Sequence, residues 1–227
     1  MRQIVLDTET TGLSPQGGDR LVEIGCLEII NQVSTGESFH VYINPERDMP
    51  EGAFKVHGLS AEFLSDKPKF AEVVDDFLTF IADAPLVIHN ASFDMGFINH
   101  ELKMVGRPAI DQARAIDTLL IARKRFPGAQ NSLDALCRRF GIDNSNRIKH
   151  GALLDSELLA EVYLELMGGR QPGLVLDANL ERRQSESGPV ERRSARPVPL
   201  PSRLTESERA AHASFVEGLA DGGLWPK

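Results

Sequence analysis

Apolar residues follow two rhythms along this chain. Ile4-Val5-Leu6 and Leu86-Val87-Ile88 are short unbroken apolar runs of strand length, whereas Phe70 to Ala82 and Leu159 to Leu166 repeat apolar residues at helical spacing. The pattern predicts strands over Gln3 to Asp7, Leu21 to Ile30 and Glu37 to Ile43, the last two joined as a hairpin across the polar stretch Asn31 to Gly36. Asn44 to Ser60 reads as a loop. A helix over Phe70 to Ala82 leads into the Leu86 strand, and a second helix follows to about Val105. Ala115-Ile116-Asp117 reads as a short strand, and Thr118 to Arg125 and Ser132 to Phe140 as helices, the latter capped by Asn131 or Ser132 with Asp134 in its first turn. A last helix starts near Asp155 and stops at Gly168-Gly169. A hairpin followed by alternating helices and strands predicts an α/β fold, a mixed central sheet with helices on its faces.

Four carboxylates interrupt this pattern where apolar residues belong. Asp7 and Glu9 end the first apolar run one residue apart, so in a strand both face the same way while Ile4, Leu6 and Thr8 face the other. Asp94 shares a helical stripe with Phe97, Ile98, Leu102 and Val105, and Asp155 begins the stripe Leu159, Val162, Leu166. Like charges aimed inward repel one another and resist desolvation. Taken singly, each has a plain account: a strand ending in a polar turn, or a first-turn acid favoured by the helix dipole. Together they form a constellation, because strand ends and the helices that follow them converge at one edge of an open sheet. Carboxylate oxygens suit Mg²⁺ or Mn²⁺, whereas Zn²⁺ asks for more His or Cys. Two such ions, roughly 3.5–4 Å apart, clamp the attacking and leaving oxygens of a phosphodiester. His150 lies five residues before Asp155, with Gly151 between them allowing a break, so it is expected on the loop entering the helix, above the acids. Imidazole exchanges its proton near neutral pH and can serve as base for an attacking water.

Asp7-Thr8-Glu9-Thr10-Thr11-Gly12, His89-Asn90-Ala91-Ser92-Phe93-Asp94 and His150-Gly151-Ala152-Leu153-Leu154-Asp155 resemble the three motifs of the DEDDh exonucleases, and within them the epsilon proofreading subunits of bacterial DNA polymerase III. Asn131 to Cys137 and Leu159 to Tyr163 are similar to those subunits as well. The resemblance covers Arg2 to about Gly169 and returns near the C-terminus. It implies a ribonuclease-H-like exonuclease fold. It also implies a metal set of Asp7, Glu9, Asp94 and Asp155 holding two Mg²⁺ or Mn²⁺ ions, with His150 as general base. Substrate contacts fall on Asp7, Glu9, His57, Asn90, Phe93 and Asp155, with His57 packing on the terminal nucleotide and Phe93 stacking on a base. One departure is visible: those subunits carry an acid immediately before Ala-Phe, and here Gly52 precedes Ala53-Phe54, with Glu51 one place earlier.

The formal net charge of −8 argues against a protein that grips duplex DNA mainly through a basic face, and is compatible with a nuclease whose bound cations meet the phosphate. The two cysteines, Cys26 and Cys137, lie in apolar elements and read as reduced, buried residues of a cytoplasmic protein, and the resemblance implies a bacterial one in the nucleoid-associated replisome. The start of the chain runs straight into a strand without a signal peptide, and no apolar run is long enough to span a bilayer, so no membrane partner is expected.

Composition changes after Gly169. Residues 1–169 form the expected exonuclease domain, 170–204 a flexible linker rich in Arg, Ser, Glu and Pro, and 205–227 a terminal segment. Gln171-Pro172-Gly173-Leu174-Val175-Leu176 resembles the peptide by which bacterial replication proteins dock on the sliding clamp. Thr205-Glu206-Ser207-Glu208 is a cap-like start to a helix reaching about Ala220, with Ala211, Phe215, Val216 and Leu219 on one face and Leu224-Trp225 beyond Gly222-Gly223. The resemblance makes this segment the tether to the polymerase III catalytic (alpha) subunit. The leading function is therefore a 3′→5′ exonuclease acting on single-stranded DNA 3′ ends and releasing nucleoside 5′-monophosphates as a polymerase proofreader. An RNA-trimming exonuclease of the same family shares every catalytic motif, since none of them reads the 2′-hydroxyl. A catalytically silent tether that only stabilises a polymerase is the third reading, and the intact set of acids argues against it.

Overall fold

The computed structural model describes residues 1–145, 147, 149–169 and 204–217. Five strands form one sheet in the order β3-β2-β1-β4-β5. β1 (Arg2–Thr10), β2 (Leu21–Ile30) and β3 (Val33–Tyr42) run antiparallel, while β4 (Leu86–Ile88) and β5 (Ala115–Asp117) extend β1 in parallel. The hairpin turns more tightly than its polar stretch suggests. Ile30 pairs with Val33 across Asn31 and Gln32, whose φ angles of 51° and 68° are the positive values that a two-residue hairpin requires. β3 thus begins at Val33 rather than Glu37.

Helices cover both faces. α3 (Phe70–Ile81) and α4 (Ala91–Met104) pack on Ile4, Leu6, Ile24, Leu86 and Ile88. α5 (Thr118–Arg125), α6 (Leu133–Phe140) and α7 (Ala152–Leu166) pack on Val5, Leu27, Ile29 and Val87. The alternation within Ile4-Val5-Leu6 thus feeds two cores. Arg20 clasps α4 to the start of β2 through a paired contact with the buried Glu101, Nε to Oε1 at 2.6 Å and Nη2 to Oε2 at 2.8 Å. Cys26 and Cys137 are buried free thiols, as expected.

The stretch Asn44 to Ser60, expected as loop, contains α1 (Glu51–His57), and α2 (Ala61–Leu64) follows it. α1 leaves no periodic signal because it buries only His57 and exposes Phe54 and Val56; its ends are marked by Pro50 and by Gly58 at φ 77°. A last described helix, α8, spans Glu206–Glu217. Thr205 and Glu208 cap it reciprocally, Thr205 Oγ1 accepting from the Glu208 N–H at 3.3 Å and Glu208 Oε2 from the Thr205 N–H at 2.8 Å. No side chain of α8 is buried, and Phe215 is 64% exposed. Gln171 to Leu176, Leu219, Leu224 and Trp225 lie outside the described residues. No described helix is long and apolar enough to cross a membrane.

Candidate active site

β1 meets β4 only at Ile4–Leu86 and Val5–Val87, so Asp7, Thr8 and Glu9 have β2 on one side and an opening on the other. This is the edge where strand ends and helix starts converge. Thr8, on the Ile4/Leu6 face, donates its hydroxyl to Asp94 Oδ1 at 2.7 Å and fixes that carboxylate against β1. The start of α4 is itself held by Asp117, whose carboxylate accepts the Asn90 and Ala91 N–H groups at 3.3 and 3.2 Å and that of Leu119 at 2.8 Å. Asn90 adopts φ 68°, a left-handed turn that Asn tolerates well, and the chain reverses there into α4.

α7 approaches from the opposite face. Its first turn lies directly on Gly25, the β2 residue paired with Asp7, and Ser156 Oγ donates to the Gly25 carbonyl at 2.9 Å. A glycine is needed there because any Cβ would meet the Ala152 and Leu153 backbone at 2.3 Å. That close approach sets Asp155 beside β1. His150 lies on the loop before α7, exposed, its N–H donating to the Val56 carbonyl at 3.2 Å, so α1 props the loop. Lys149 Nζ adds a contact to the Lys55 carbonyl at 2.7 Å.

A cleft of about 860 Å³ opens here, with Asp7, Glu9, Asp155 and His150 among its walls and His89 and Arg123 at its flank. Oxygens of Glu9 and Asp155 and a ring nitrogen of His150 lie within 4.8 Å of one another, close enough to share one cation. The electrostatics agree. Burial, then the neighbouring Asp94, Glu9 and Asp155, hold the Asp7 carboxyl well above the usual carboxylate range, with Arg147 opposing. Burial, then Asp155, Glu23 and Asp94, push Glu9 up to about 8. Burial lifts Asp94 to about 7 against its hydrogen bond from Thr8. Asp155 differs: burial pushes it up too, but the neighbouring His150 and the hydrogen-bonded Arg147 guanidinium outweigh that and hold it low. Three acids short of positive charge, beside one already supplied with it, form a set that fits divalent cations.

The remaining expected residues lie around this centre. His57 is buried at the end of α1, its Nδ1 accepting from the Leu59 N–H at 3.0 Å, and burial lowers its pKa. Phe93 is half-buried and packs on Phe97 with ring centroids 5.0 Å apart. Asn90 is exposed. None of these three lines the cleft, and neither does Asp94, which is held against Thr8 beside it. Glu51 is exposed and paired with Lys55 at 2.6 Å.

Two features were missed from sequence. Arg147, with 6% of its side chain exposed, reaches Asp155, Asp134 and His150 at once. It sits in a polar loop where no periodicity marks it, and Asp134, read only as a first-turn acid, is its second anchor. Glu23, buried and aligned with Glu9 on the next strand, pairs with His40 Nε2 at 2.7 Å. The one signal for it was an acid inside the apolar run Leu21-Val22-Glu23-Ile24.

A family model described as exonuclease matches residues 4–163. The DNA polymerase III subunit epsilon of Rickettsia felis is 49% identical over 223 residues, covering 96% of this chain and 97% of that protein. The chain belongs to the exonuclease family and, within it, to the polymerase III epsilon subunits. The epsilon subunit of Escherichia coli K12 is 47% identical over 239 residues, covering 99% of this chain and 97% of its own length. Among solved structures, the nuclease domain of 3′hExo, a DEDDh family member bound to rAMP, superimposes with a TM-score of 0.64 at 16% identity, covering 73% of this chain and 91% of that one. Exonuclease X in complex with 5′ overhanging duplex DNA gives 0.57 at 24% identity, covering 73% and 90%. At those identities the superpositions speak for the fold alone, which this chain shares with both.

Proposed function

We propose that this chain proofreads for a bacterial replicative polymerase, removing nucleotides from single-stranded DNA 3′ ends as nucleoside 5′-monophosphates. It is a 3′→5′ exonuclease, a hydrolase of the polymerase III epsilon type, and it depends on divalent metal. The observation that carries the reading is the meeting of acids from β1 and α7 with His150 in one cleft, with Asp94 of α4 held against β1 by Thr8. Asp7, Glu9, Asp94 and Asp155 would hold two ions, Mg²⁺ or Mn²⁺. Bound there, the ions supply the positive charge that offsets the scissile phosphate and the leaving oxygen. His150, exposed at the cleft, takes the proton from the attacking water. Thr8 and Asp117 keep Asp94 aimed, and Gly25 keeps Asp155 within reach of Asp7. His57, Asn90 and Phe93 would meet the terminal nucleotides as a strand enters over α1 and the start of α4.

The remainder of the reading concerns assembly. Residues 1–169 act as the nuclease, 170–204 as linker, and 205–227 as the tether to the polymerase alpha subunit, with Gln171 to Leu176 docking weakly on the sliding clamp. The exposed Phe215 of α8 supports the tether, since a short amphipathic helix gains stability when its apolar face is covered. A cytoplasmic, nucleoid-associated location follows from that role.

The test uses 5′-labelled single-stranded DNA with Mg²⁺ or Mn²⁺, beside RNA of the same sequence. Stepwise release of mononucleotides from the DNA is expected. His150→Ala should slow it by roughly 10²- to 10⁴-fold with Mn²⁺ binding retained. Near-normal turnover of His150→Ala would remove the histidine from its role, faster loss of the RNA would favour the trimming enzyme, and no release with any metal would leave the silent tether.

A further inference from the structure

Arg147 makes four contacts with one guanidinium. Nε and Nη2 bridge Asp155 Oδ1 and Oδ2 at 2.5 and 2.6 Å, Nη1 reaches Asp134 Oδ1 at 2.7 Å, and Nη2 also reaches His150 Nδ1 at 2.7 Å. Its side chain is almost wholly buried, and Asp155 is 2% exposed. We propose that Arg147 is a displaceable internal cation that holds the site in an inactive arrangement until a divalent ion takes Asp155 from it. The proposal rests on the metal reading of the four acids and assigns a positioning role that reading lacks.

Two consequences of the geometry carry it. Both oxygens of Asp155 are already committed to a cation, so a divalent ion must compete for their lone pairs. It competes well, since it brings twice the charge to a cluster whose other three acids are short of positive charge. The second consequence concerns the imidazole. A guanidinium N–H can only donate, so the His150 Nδ1 that faces it is the bare nitrogen, and in neutral imidazole the proton then sits on Nε2. A general base needs the reverse. Asp155 Oδ2 lies 3.3 Å from that same Nδ1. Once Arg147 withdraws, Nδ1 can carry the proton and donate it to Oδ2, and Nε2 becomes the bare nitrogen facing the attacking water. One proton leaves Nε2 and one arrives at Nδ1, so the charge of the ring is unchanged. Asp134, 46% exposed and steadied by Asn144 Nδ2 at 3.0 Å, gives the guanidinium an anchor to retain as it withdraws.

The experiment uses the full chain labelled with ¹⁵N, with and without Mg²⁺. Arg147→Lys and His150→Gln identify the side-chain signals of the two residues they replace. Saturating Mg²⁺ is expected to shift the Arg147 Nε–H resonance and to move the His150 ring proton from Nε2 to Nδ1. Arg147→Gln should show the Nδ1–H form without metal and bind Mn²⁺ roughly tenfold or more tightly than the parent, read from the free-ion electron paramagnetic resonance signal. Arg147→Lys keeps a charge but cannot bridge both oxygens, so its affinity should fall between the two; it serves in place of Arg147→Gln if that variant does not fold. If the Asp155 and His150 amides report bound Mg²⁺ while the arginine signal and the tautomer stay put, Arg147 is a fixed staple and the proposal fails. Unchanged or weaker Mn²⁺ binding by the variants overturns it equally. A parent chain that binds no divalent ion defeats the metal reading first and this proposal with it, an outcome distinct from the others.

Discussion

Replacing Gly25 with alanine tests whether the site depends on how closely α7 approaches the sheet. A Cβ at that position would stand 2.3 Å from Ala152 C and Leu153 N and 2.4 Å from the Ala152 carbonyl oxygen, where ordinary contact begins near 3.4 Å. All three atoms are backbone, so no rotamer change relieves the overlap, and the first turn of α7 must move out by about 1 Å to restore ordinary contact. That turn carries Asp155, and the loop entering it carries His150, while Asp7, the cross-strand partner of Gly25, stays behind. A shift of about 1 Å at reacting groups can cost roughly 10²-fold in rate. Overpacking of this kind costs about 1–3 kcal/mol of stability, or a few degrees of melting temperature for a domain of this size. The assay is mononucleotide release from single-stranded DNA at saturating Mn²⁺, with a thermal melt alongside. Gly96→Ala, within α4 where a Cβ meets nothing within 4 Å, is the control and should keep both rate and stability. A Gly25→Ala protein that melts like the parent and turns over within a factor of about three would refute the argument that this contact sets the position of Asp155.

Other outcomes follow from the charges and the tail. Asp7→Asn should raise the melting temperature of the metal-free chain, because it removes a carboxylate held above its usual range by burial and by Asp94, Glu9 and Asp155; Asp155→Asn should lower it, because it leaves the buried Arg147 without its main partner, and equal shifts in both would contradict the charge map. Both substitutions should abolish nuclease activity. Glu9 near 8 and Asp94 near 7 lie above the ordinary carboxylate range, so between that range and those values the folded chain binds more protons than the unfolded one. Metal-free stability should therefore fall as pH rises from about 5 to 8, and saturating Mg²⁺ should flatten the slope; a melting temperature that rises over that window would be inconsistent with the raised values. Phe215→Ala with Trp225→Ala should weaken binding to the polymerase subunit and leave hydrolysis of free single strands unchanged, which pull-down and nuclease assays on the same preparations can check.

What the sequence disclosed, and what it hid, divides by physical cause. Long periodic elements such as Phe70–Ile81, with Phe70, Val73, Val74, Phe77 and Ile81 all buried, announce themselves because one face must leave water. The four acids were legible for the opposite reason, as charges set into such faces. α1 was hidden because it buries a single side chain, and the Asn31-Gln32 turn because two non-glycine residues take its positive φ values. The separation of Asp155 from the other three acids was also hidden. Sequence treats the four as equivalent, and only the placement of Arg147, eight residues before Asp155 in a loop without periodicity, makes one of them an ion pair and leaves three as frustrated acids.

That asymmetry changes what stability means at this site. If all four carboxylates merely repelled one another, removing any one would stabilise the metal-free fold. Arg147 breaks the equivalence, because deleting its partner exposes the full desolvation penalty of a buried cation, whereas deleting Asp7 deletes only repulsion. The site is thus held by a paired half, Arg147 with Asp155 and Asp134, against an unpaired half, Asp7, Glu9 and Asp94. On the proposed reading, a divalent ion entering the cleft would gain most from the unpaired half, and would have to compete with the guanidinium for Asp155. Assembly of the active arrangement and release of Arg147 would then be one event, and metal affinity, His150 tautomer and metal-free stability should all respond to the same substitution at Arg147.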